Sequence, residues 1–369
     1  MSVTAKKYFR ICIVSEQLAG GGAERCSAVL SQFFEANNCE VHHVITIDKI
    51  EYPFAGKLLN LGQLKKGGFN LADRFNRFKV LHHFFKSNSF DFIIDTRVVN
   101  RQLQEFYIVK FIYNAPLIVM VHSYMTNLYF PKNHFLANFI YSNAKKIIGV
   151  SNVIKNKITS QYRYKQVQTI YNPIAIDYIS KQSKIAIDVN FKFILAVGNM
   201  NTNVKQFDHL INIYSNSDLP NLDIKLLILG IGLLKESLET QVCKLNLQDK
   251  IIFKGTIENP FPYYKLALFT VLTSRNEGFP TVLLESLACK TPVIAYNCLS
   301  GPSEIIQNNE NGILVENQNQ EQMILAMNEM ISNKKLYLHC KTNAQKSVEK
   351  FSIQTIGNQW LQLFKSLQE

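Results

Sequence analysis

Two carboxylates eight residues apart, Glu277 and Glu285, interrupt the apolar run EGFPTVLLESLACKTPVIAYNCLSGPSE, which spans Glu277 to Glu304. Pro280 suits the first position of a helix, because the N–H it lacks is one that a helix start leaves unpaired. The helix so begun reaches about Ala288, and its free amides point back at the loop Arg275-Asn-Glu-Gly-Phe279. Such a helix start is a ready site for an anion such as a diphosphate. Glu277, on the loop, is placed to face a sugar; Glu285, just over one turn into the helix, is placed to reach a ribose. The spacing suits a ligand polar at both ends and anionic in the middle. Glu304 either binds substrate or caps the helix at Ile305, and the cap is the preferred reading. No Asp-x-Asp motif is present to hold a divalent metal, so positive side chains and helix amides are left to stabilise a departing phosphate.

The elements that must position these residues alternate. Strand patterns at Phe9–Ser15, Glu40–Ile47, Phe90–Asp95, Leu117–His122 and Lys146–Ser151 are separated by helix-length segments, the first of them following Gly20-Gly21-Gly22. After Ile170-Tyr-Asn-Pro-Ile-Ala the pattern pauses, and the polar stretch from Ser180 to Asn190 reads as a linker. It restarts at Phe193–Val197, Ile224–Gly230, Ile251–Gly255, Leu268–Thr273, Pro292–Ala295 and Gly312–Val315, and one long helical segment from about Gln320 closes the set. From Phe351 onward, Phe351, Ile356, Trp360, Leu363, Phe364 and Leu367 share roughly one helical face. Alternation of this kind predicts parallel sheets covered on both faces. The expected architecture is α/β, two doubly wound Rossmann-like domains facing across a cleft, 1–175 and 190–350, with a closing C-terminal helix, 351–369. Ligands of such sheets bind outside the carboxyl ends of the strands.

The 369 residues, 47% apolar and 18% charged, suit two ordinary globular domains. Seven scattered cysteines without a Cys-x-x-Cys pair predict reduced thiols and a cytoplasmic setting. No signal peptide or membrane span is expected. Charge is uneven: residues 1–175 hold 22 Lys+Arg against 10 Asp+Glu, and residues 176–369 hold 18 of each. A field confined to one half points to an anionic partner there.

EGFPTVLLESLACKTPVIA, followed by GPSEII and NGILV, resembles the donor-site signature of glycosyltransferase family 4, whose members are retaining GT-B enzymes using nucleotide-diphosphate sugars. GGGAER (Gly20 to Arg25), VMVHS (Val119 to Ser123), YNPI (Tyr171 to Ile174) and VGNMNTNVKQFDHLI (Val197 to Ile211) resemble further family motifs in the family's order, covering nearly the whole chain. The resemblance implies that Glu277 holds donor-sugar hydroxyls, that Glu285 binds the ribose, and that amides near Gly278, Phe279, Thr281 and Val282 face the diphosphate. It implies further that Lys205 neutralises the departing phosphates and that His122 lies across the cleft beside the sugar. The Gly20–Gly22 loop, through Gly21 and Gly22, would admit phosphate or sugar close to its backbone. Where the family often carries Val-Gly-Arg, this chain has Asn199; either Arg275 supplies the charge from the next loop, or Lys205 and the helix start suffice. Glu277, His122 and Lys205 are thus the expected catalytic residues, with no metal and no cofactor beyond the donor, for which a uridine nucleotide is implied.

The acceptor implied is a glycan or lipid-linked saccharide of surface polysaccharide synthesis, met on the basic first domain. Leu71-ADRFNRFKVLHHFFK86 alternates Leu71, Phe75, Phe78, Leu81, Phe84 and Phe85 with Arg74, Arg77, Lys79, His82, His83 and Lys86, after Lys65 and Lys66. Such a helix either lies in a lipid interface or packs its Phe side on the sheet, and the second is preferred. The charge still favours loose contact with the inner face of an anionic membrane. Arg97 faces the cleft or serves structure. Competing readings are a nucleotide-sugar epimerase of the same architecture, a non-catalytic anion-binding protein, and a nucleic-acid binder, which no aromatic-and-basic motif supports. A dinucleotide oxidoreductase is disfavoured, because Gly20-Gly21-Gly22 is not Gly-x-Gly-x-x-Gly.

Overall fold

Runs such as RICIVS and FILAV carry no polar alternation, which marks strands buried on both faces of a parallel sheet. The computed structural model, which describes residues 9–65, 71–99 and 101–369, bears this out. Lys66 and the two N-terminal lysines, Lys6 and Lys7, lie outside the described residues. The chain divides into two compact units, Met1–Pro173 with Ile353–Glu369, and Ile174–Ser352.

The first unit is a seven-stranded parallel sheet of β1 (Arg10–Ser15), β2 (Glu40–Ile45), β3 (Lys57–Asn60), β4 (Phe92–Asp95), β5 (Leu117–Val121), β6 (Ala144–Gly149) and β7 (Val167–Thr169). Their order is β3-β2-β1-β4-β5-β6-β7, so the winding reverses between β1 and β4. Helices α1 (Gly22–Ala36), α2 (Leu71–Ser87), α3 (Gln102–Tyr107), α4 (His134–Ile140) and α5 (Asn152–Tyr162) accompany them, α3 running into a π-helical turn, Ile108–Ile112. The C-terminal helix, Ile353–Gln368, belongs to this unit. It buries Ile356, Trp360, Leu363 and Phe364. Phe364 stacks on Phe92 at 4.8 Å and meets Phe9 at 5.6 Å and Phe34 at 5.4 Å. The helix starts two residues later than expected, and Phe351 is not on it: that ring lies in the second unit against Phe279 at 5.1 Å.

The second unit is a six-stranded parallel sheet, order β10-β9-β8-β11-β12-β13, with β8 (Phe193–Val197), β9 (Lys225–Leu229), β10 (Ile251–Gly255), β11 (Thr270–Leu272), β12 (Val293–Tyr296) and β13 (Gly312–Val315). Its winding reverses between β8 and β11. The helices are α6 (Ile176–Gln182), α7 (Phe207–Ser215), α8 (Lys235–Lys244), α9 (Phe261–Leu266), α10 (Thr281–Ala288), α11 (Pro302–Ile305), α12 (Gln320–Ser332) and α13 (Lys334–Ser347). Two expectations are corrected. The segment from Gln320 is two helices, because Asn333 ends α12 and its side chain accepts from the Leu336 amide to start α13. The supposed linker from Ser180 begins inside α6.

The α2 stripe is largely inward. Leu81 and Phe85 are buried, and Phe84 and Phe85 pack with Phe90. The preferred reading of that helix therefore holds for its second half, whereas Phe75, near its start, stays exposed.

Candidate active site

In the second unit the loops leaving β8 and β11 emerge from neighbouring strands on either side of the winding reversal, where open α/β sheets bind ligands. Lys205 and Glu277, one on each loop, meet there. The Lys205 ammonium donates to Glu277 Oε1 at 2.6 Å, with side chains 19% and 12% exposed. Backbone bonds hold both loops in place: the Arg275 amide donates to Val204 O at 2.9 Å, and Thr273 Oγ1 donates to Lys205 O at 3.0 Å. Gln206, at the start of α7, holds a left-handed φ of 52° and pairs amide to amide with Gln318.

Glu277 is fixed from the other side by the loop after β12. Its amide donates to Leu299 O at 3.0 Å, and Ser300 Oγ donates to Gly278 O at 2.7 Å. Gly301 has φ +99°, and a Cβ there would run into the Pro280 ring and crowd the Gly278 carbonyl. The second Gly-Pro thus lets one loop lie flat on the other. Helix α10 begins at Thr281 with Pro280 as its N-cap, one residue later than expected. Gly278 and Phe279 are buried and Thr281 and Val282 half-buried at this start, while Glu285 is buried inside the helix. Asn199 is exposed and accepts from the Asn201 amide at 2.6 Å, closing its own turn. Arg275 is exposed beside the same loop pair. Glu304 is not the cap expected: Gly301 is the N-cap of α11, and Glu304 sits in its first turn.

The structure therefore brings Lys205, Arg275, Glu277 and the α10 start together. Thr273, Gln206, Ser300 and Gly301 support them and were not singled out from the sequence, although the Gly-Pro before Glu304 carried a signal for Gly301.

In the first unit Gly21 caps α1, which begins at Gly22, and Gly20 has φ +82°. The Glu24 carboxylate lies over Gly21, where an added Cβ would collide with it. Burial raises the Glu24 pKa, its own backbone opposing. A carboxylate in that position suits hydroxyls better than a phosphate at this loop. His122 follows β5 and its amide donates to the Tyr129 hydroxyl at 3.2 Å. Burial pushes the imidazole pKa down to about 3, with the Asn172 side chain opposing weakly, and neither ring nitrogen reaches hydrogen-bond geometry with a neighbour. Arg97 is structural: its guanidinium pairs with Asp95 at 2.6 Å and Glu105 at 3.2 Å, and donates to the Tyr113 hydroxyl at 3.0 Å. Among the described residues no group of three His, Cys, Asp or Glu side chains is arranged to hold a metal ion, and no helix is long and apolar enough to cross a membrane.

The chain is similar to known proteins in sequence and in fold. Residues 177–347 match the family model for glycosyl transferases group 1. The chain is 29% identical over 348 residues (90% of this chain, 93% of the relative) to the N-acetylgalactosamine-N,N'-diacetylbacillosaminyl-diphospho-undecaprenol 4-alpha-N-acetylgalactosaminyltransferase of Campylobacter jejuni. A second Campylobacter jejuni protein is 25% identical over 372 residues, 96% of this chain and 98% of its own. It is the GalNAc-alpha-(1->4)-GalNAc-alpha-(1->3)-diNAcBac-PP-undecaprenol alpha-1,4-N-acetyl-D-galactosaminyltransferase. In fold, the crystal structure of Anabaena HepE in complex with UDP and glucose superposes with TM-score 0.77 at 19% identity, covering 97% of this chain and all of that one. The chain is a glycosyltransferase of GT-B fold whose second unit matches the glycosyl transferases group 1 model.

Proposed function

We propose that the chain transfers a sugar from a UDP-sugar to a hydroxyl of a lipid-linked or polymeric saccharide, with retention of configuration. The observation that carries this reading is the Lys205–Glu277 pair at the start of α10. In the free protein each neutralises the other. A nucleotide-diphosphate sugar offers each a better partner: phosphate oxygens for Lys205 and the α10 amides, sugar hydroxyls for Glu277. Glu285 would accept from the ribose hydroxyls, and Arg275 is the second cation available to the diphosphate. The loops thus sort the two halves of one ligand.

In the reaction the bond from the anomeric carbon to the β-phosphate oxygen breaks and its electron pair leaves with the phosphate. The acceptor oxygen bonds to that carbon from the same face, and its proton passes to the departing phosphate. Stabilising the phosphate charge is the main electrostatic task, met by Lys205, Arg275 and the helix amides. The relatives named for diphospho-undecaprenol substrates support a lipid-linked acceptor, and the UDP-bound neighbour supports the nucleotide. We assign the acceptor to the first unit, with Glu24 and His122 toward its hydroxyls, because a carboxylate and a neutral imidazole accept hydrogen bonds from a sugar.

The test is a thermal-shift screen against UDP, GDP, ADP and CMP, followed by UDP release from UDP-sugars with and without a lipid-linked saccharide. UDP at ~100 times its dissociation constant should stabilise by about 2.7 kcal/mol, much less in Glu285→Ala. Stabilisation by none of the four, or sugar turnover independent of any acceptor, would overturn the reading; the latter would favour an epimerase.

A further inference from the structure

Exposed apolar side chains of the first unit recur along α3, the π-helical turn and α4, beyond the scattered Ile47, Ile50, Phe75 and Met125. Leu103, Tyr107 and Phe111 recur every four residues along α3 and the π-helical turn, while the neighbouring Ile108, Val109 and Ile112 are buried. On α4, Phe135 and Phe139 repeat the spacing around buried Ala137 and Ile140. Leu103, Phe111, Phe135 and Phe139 are each at least 60% exposed. These helices therefore have two apolar faces, one spent on the core and one turned to solvent.

The outer faces form one ridge. Phe106 stacks on Phe139 at 5.5 Å and 17°, bridging α3 and α4, and Phe111 meets Phe106 at 5.8 Å and Tyr107 at 5.5 Å. Tyr107 reaches Phe78 of α2 at 6.1 Å. Lys110 lies over Phe139, its ammonium 5.6 Å from the ring centre, and donates to Ser142.

The charge along the stretch of chain that carries the ridge is one-sided. From Arg97 to Ile176 the chain has ten Lys and Arg residues and a single carboxylate, Glu105. That carboxylate is buried, holding Arg97 and the Tyr141 hydroxyl, so it does not offset the surface field. Lys132 and Lys145 are exposed on this stretch.

We infer that the Leu103–Phe111 and Phe135–Phe139 ridge is an interfacial membrane-docking surface that inserts its aromatic side chains among the lipids of an anionic bilayer while the surrounding lysines meet the headgroups. Short helices lying flat, with apolar side chains outward and lysines among them, fit the boundary between headgroup and acyl chain. The lysine excess matches an anionic surface and has no use for a neutral one. The inference deepens the lipid-linked acceptor reading, but docking itself does not require that reading to hold.

The experiment is vesicle flotation of the full chain with phosphatidylcholine alone and with added phosphatidylglycerol. Three forms are compared: wild type, Phe111→Ser/Phe139→Ser, and Lys132→Glu/Lys145→Glu. The thermal midpoint and the UDP-induced shift are measured on each. Wild type should float with the anionic vesicles and lose binding as salt rises; both double variants should bind at least about tenfold more weakly. Because the second pair changes only exposed lysines, it decides the matter if the phenylalanine pair unfolds. Wild type that ignores anionic vesicles, or variants that bind as well as wild type, would overturn the inference. So would a concentration-dependent dimer broken by Phe111→Ser/Phe139→Ser without loss of flotation, which would make the ridge a protein interface. An unchanged UDP shift in variants that no longer float separates failure of docking from failure of the donor site.

Discussion

Replacing Glu277 by Gln should tighten binding of UDP and abolish sugar transfer, a pair of effects with opposite signs. The free protein holds Lys205 in a 2.6 Å charge-assisted bond to Glu277, and both side chains are largely shielded. A diphosphate must draw that lysine away from its partner and approach the remaining carboxylate. A charge-assisted hydrogen bond contributes about 1.5–3 kcal/mol. Part of it is recovered when Lys205 meets phosphate, so relieving the competition should return about 1 kcal/mol to UDP, or about fivefold in Kd. Lys205→Ala removes the cation and should weaken UDP by about 10–100-fold. Each single change also strands a shielded partner and should cost the free protein about 1–3 kcal/mol. Calorimetric titration of UDP into wild type and both variants gives the affinities, and UDP release in the presence of acceptor gives the rates. If Glu277→Gln weakened UDP as strongly as Lys205→Ala, Glu277 would be a ligand of the nucleotide itself, and the division of the two side chains between phosphate and sugar would be wrong.

Gly301→Ala should destabilise the protein by about 1–3 kcal/mol, because the backbone is left-handed there and the added methyl meets Pro280; an unchanged thermal midpoint would show that the loop yields freely. Trp360→Ala on the C-terminal helix should cost about 3–5 kcal/mol, since the ring is fully buried against Phe34 and Phe364; a loss under 1 kcal/mol in denaturant titration would mean the helix contributes little to its unit. Acidification should unfold the first unit through His122 and His43, whose pKa values burial lowers to about 3 and about 4 from 6.5. The unfolded chain then binds more protons than the folded one between those values and 6.5. The stability is therefore fully present above pH 6.5 and is lost as pH falls, at about 1.4 kcal/mol per pH unit for each ring. Unfolding free energies from pH 7 to pH 5 measure that slope. His43→Phe should remove about half of it, and a flat profile would show that the rings are hydrated.

The interior of both sheets was legible because buried parallel strands are written as aliphatic runs: Phe193–Val197, Ile251–Gly255 and Gly312–Val315 fall where their patterns place them. The strands that escaped notice, Lys57–Asn60 and Val167–Thr169, are edges. An edge strand needs a ladder on one side only, so polar residues cost it little and the pattern fades. The break at Asn333 was illegible for a related reason: helical periodicity runs nearly in phase through α12 and α13, and only the cap betrays the boundary. Phe351 matched the face of the C-terminal helix by spacing alone, and spacing does not say which unit a side chain serves.

The candidate site shows the same limit in sharper form. Lys205 and Glu277 were each visible through their own motif, but 72 residues separate them, and nothing local announces that they meet. Their meeting follows from strand order. With β8 beside β11, the loop after one must run along the loop after the other, and Thr273 and Arg275 then tie the two by their hydrogen bonds. That tie is made through the backbone of residues 204 to 206, so it survives substitution of the Lys205 side chain. The consequence is that Lys205→Ala should leave the loop where it is and change only the charge. Lys205→Arg should then separate geometry from charge: the cation remains, but a planar fork replaces a compact ammonium within a 2.6 Å contact. If UDP affinity returns in Lys205→Arg while transfer does not, the ammonium's position matters to the reaction beyond its charge.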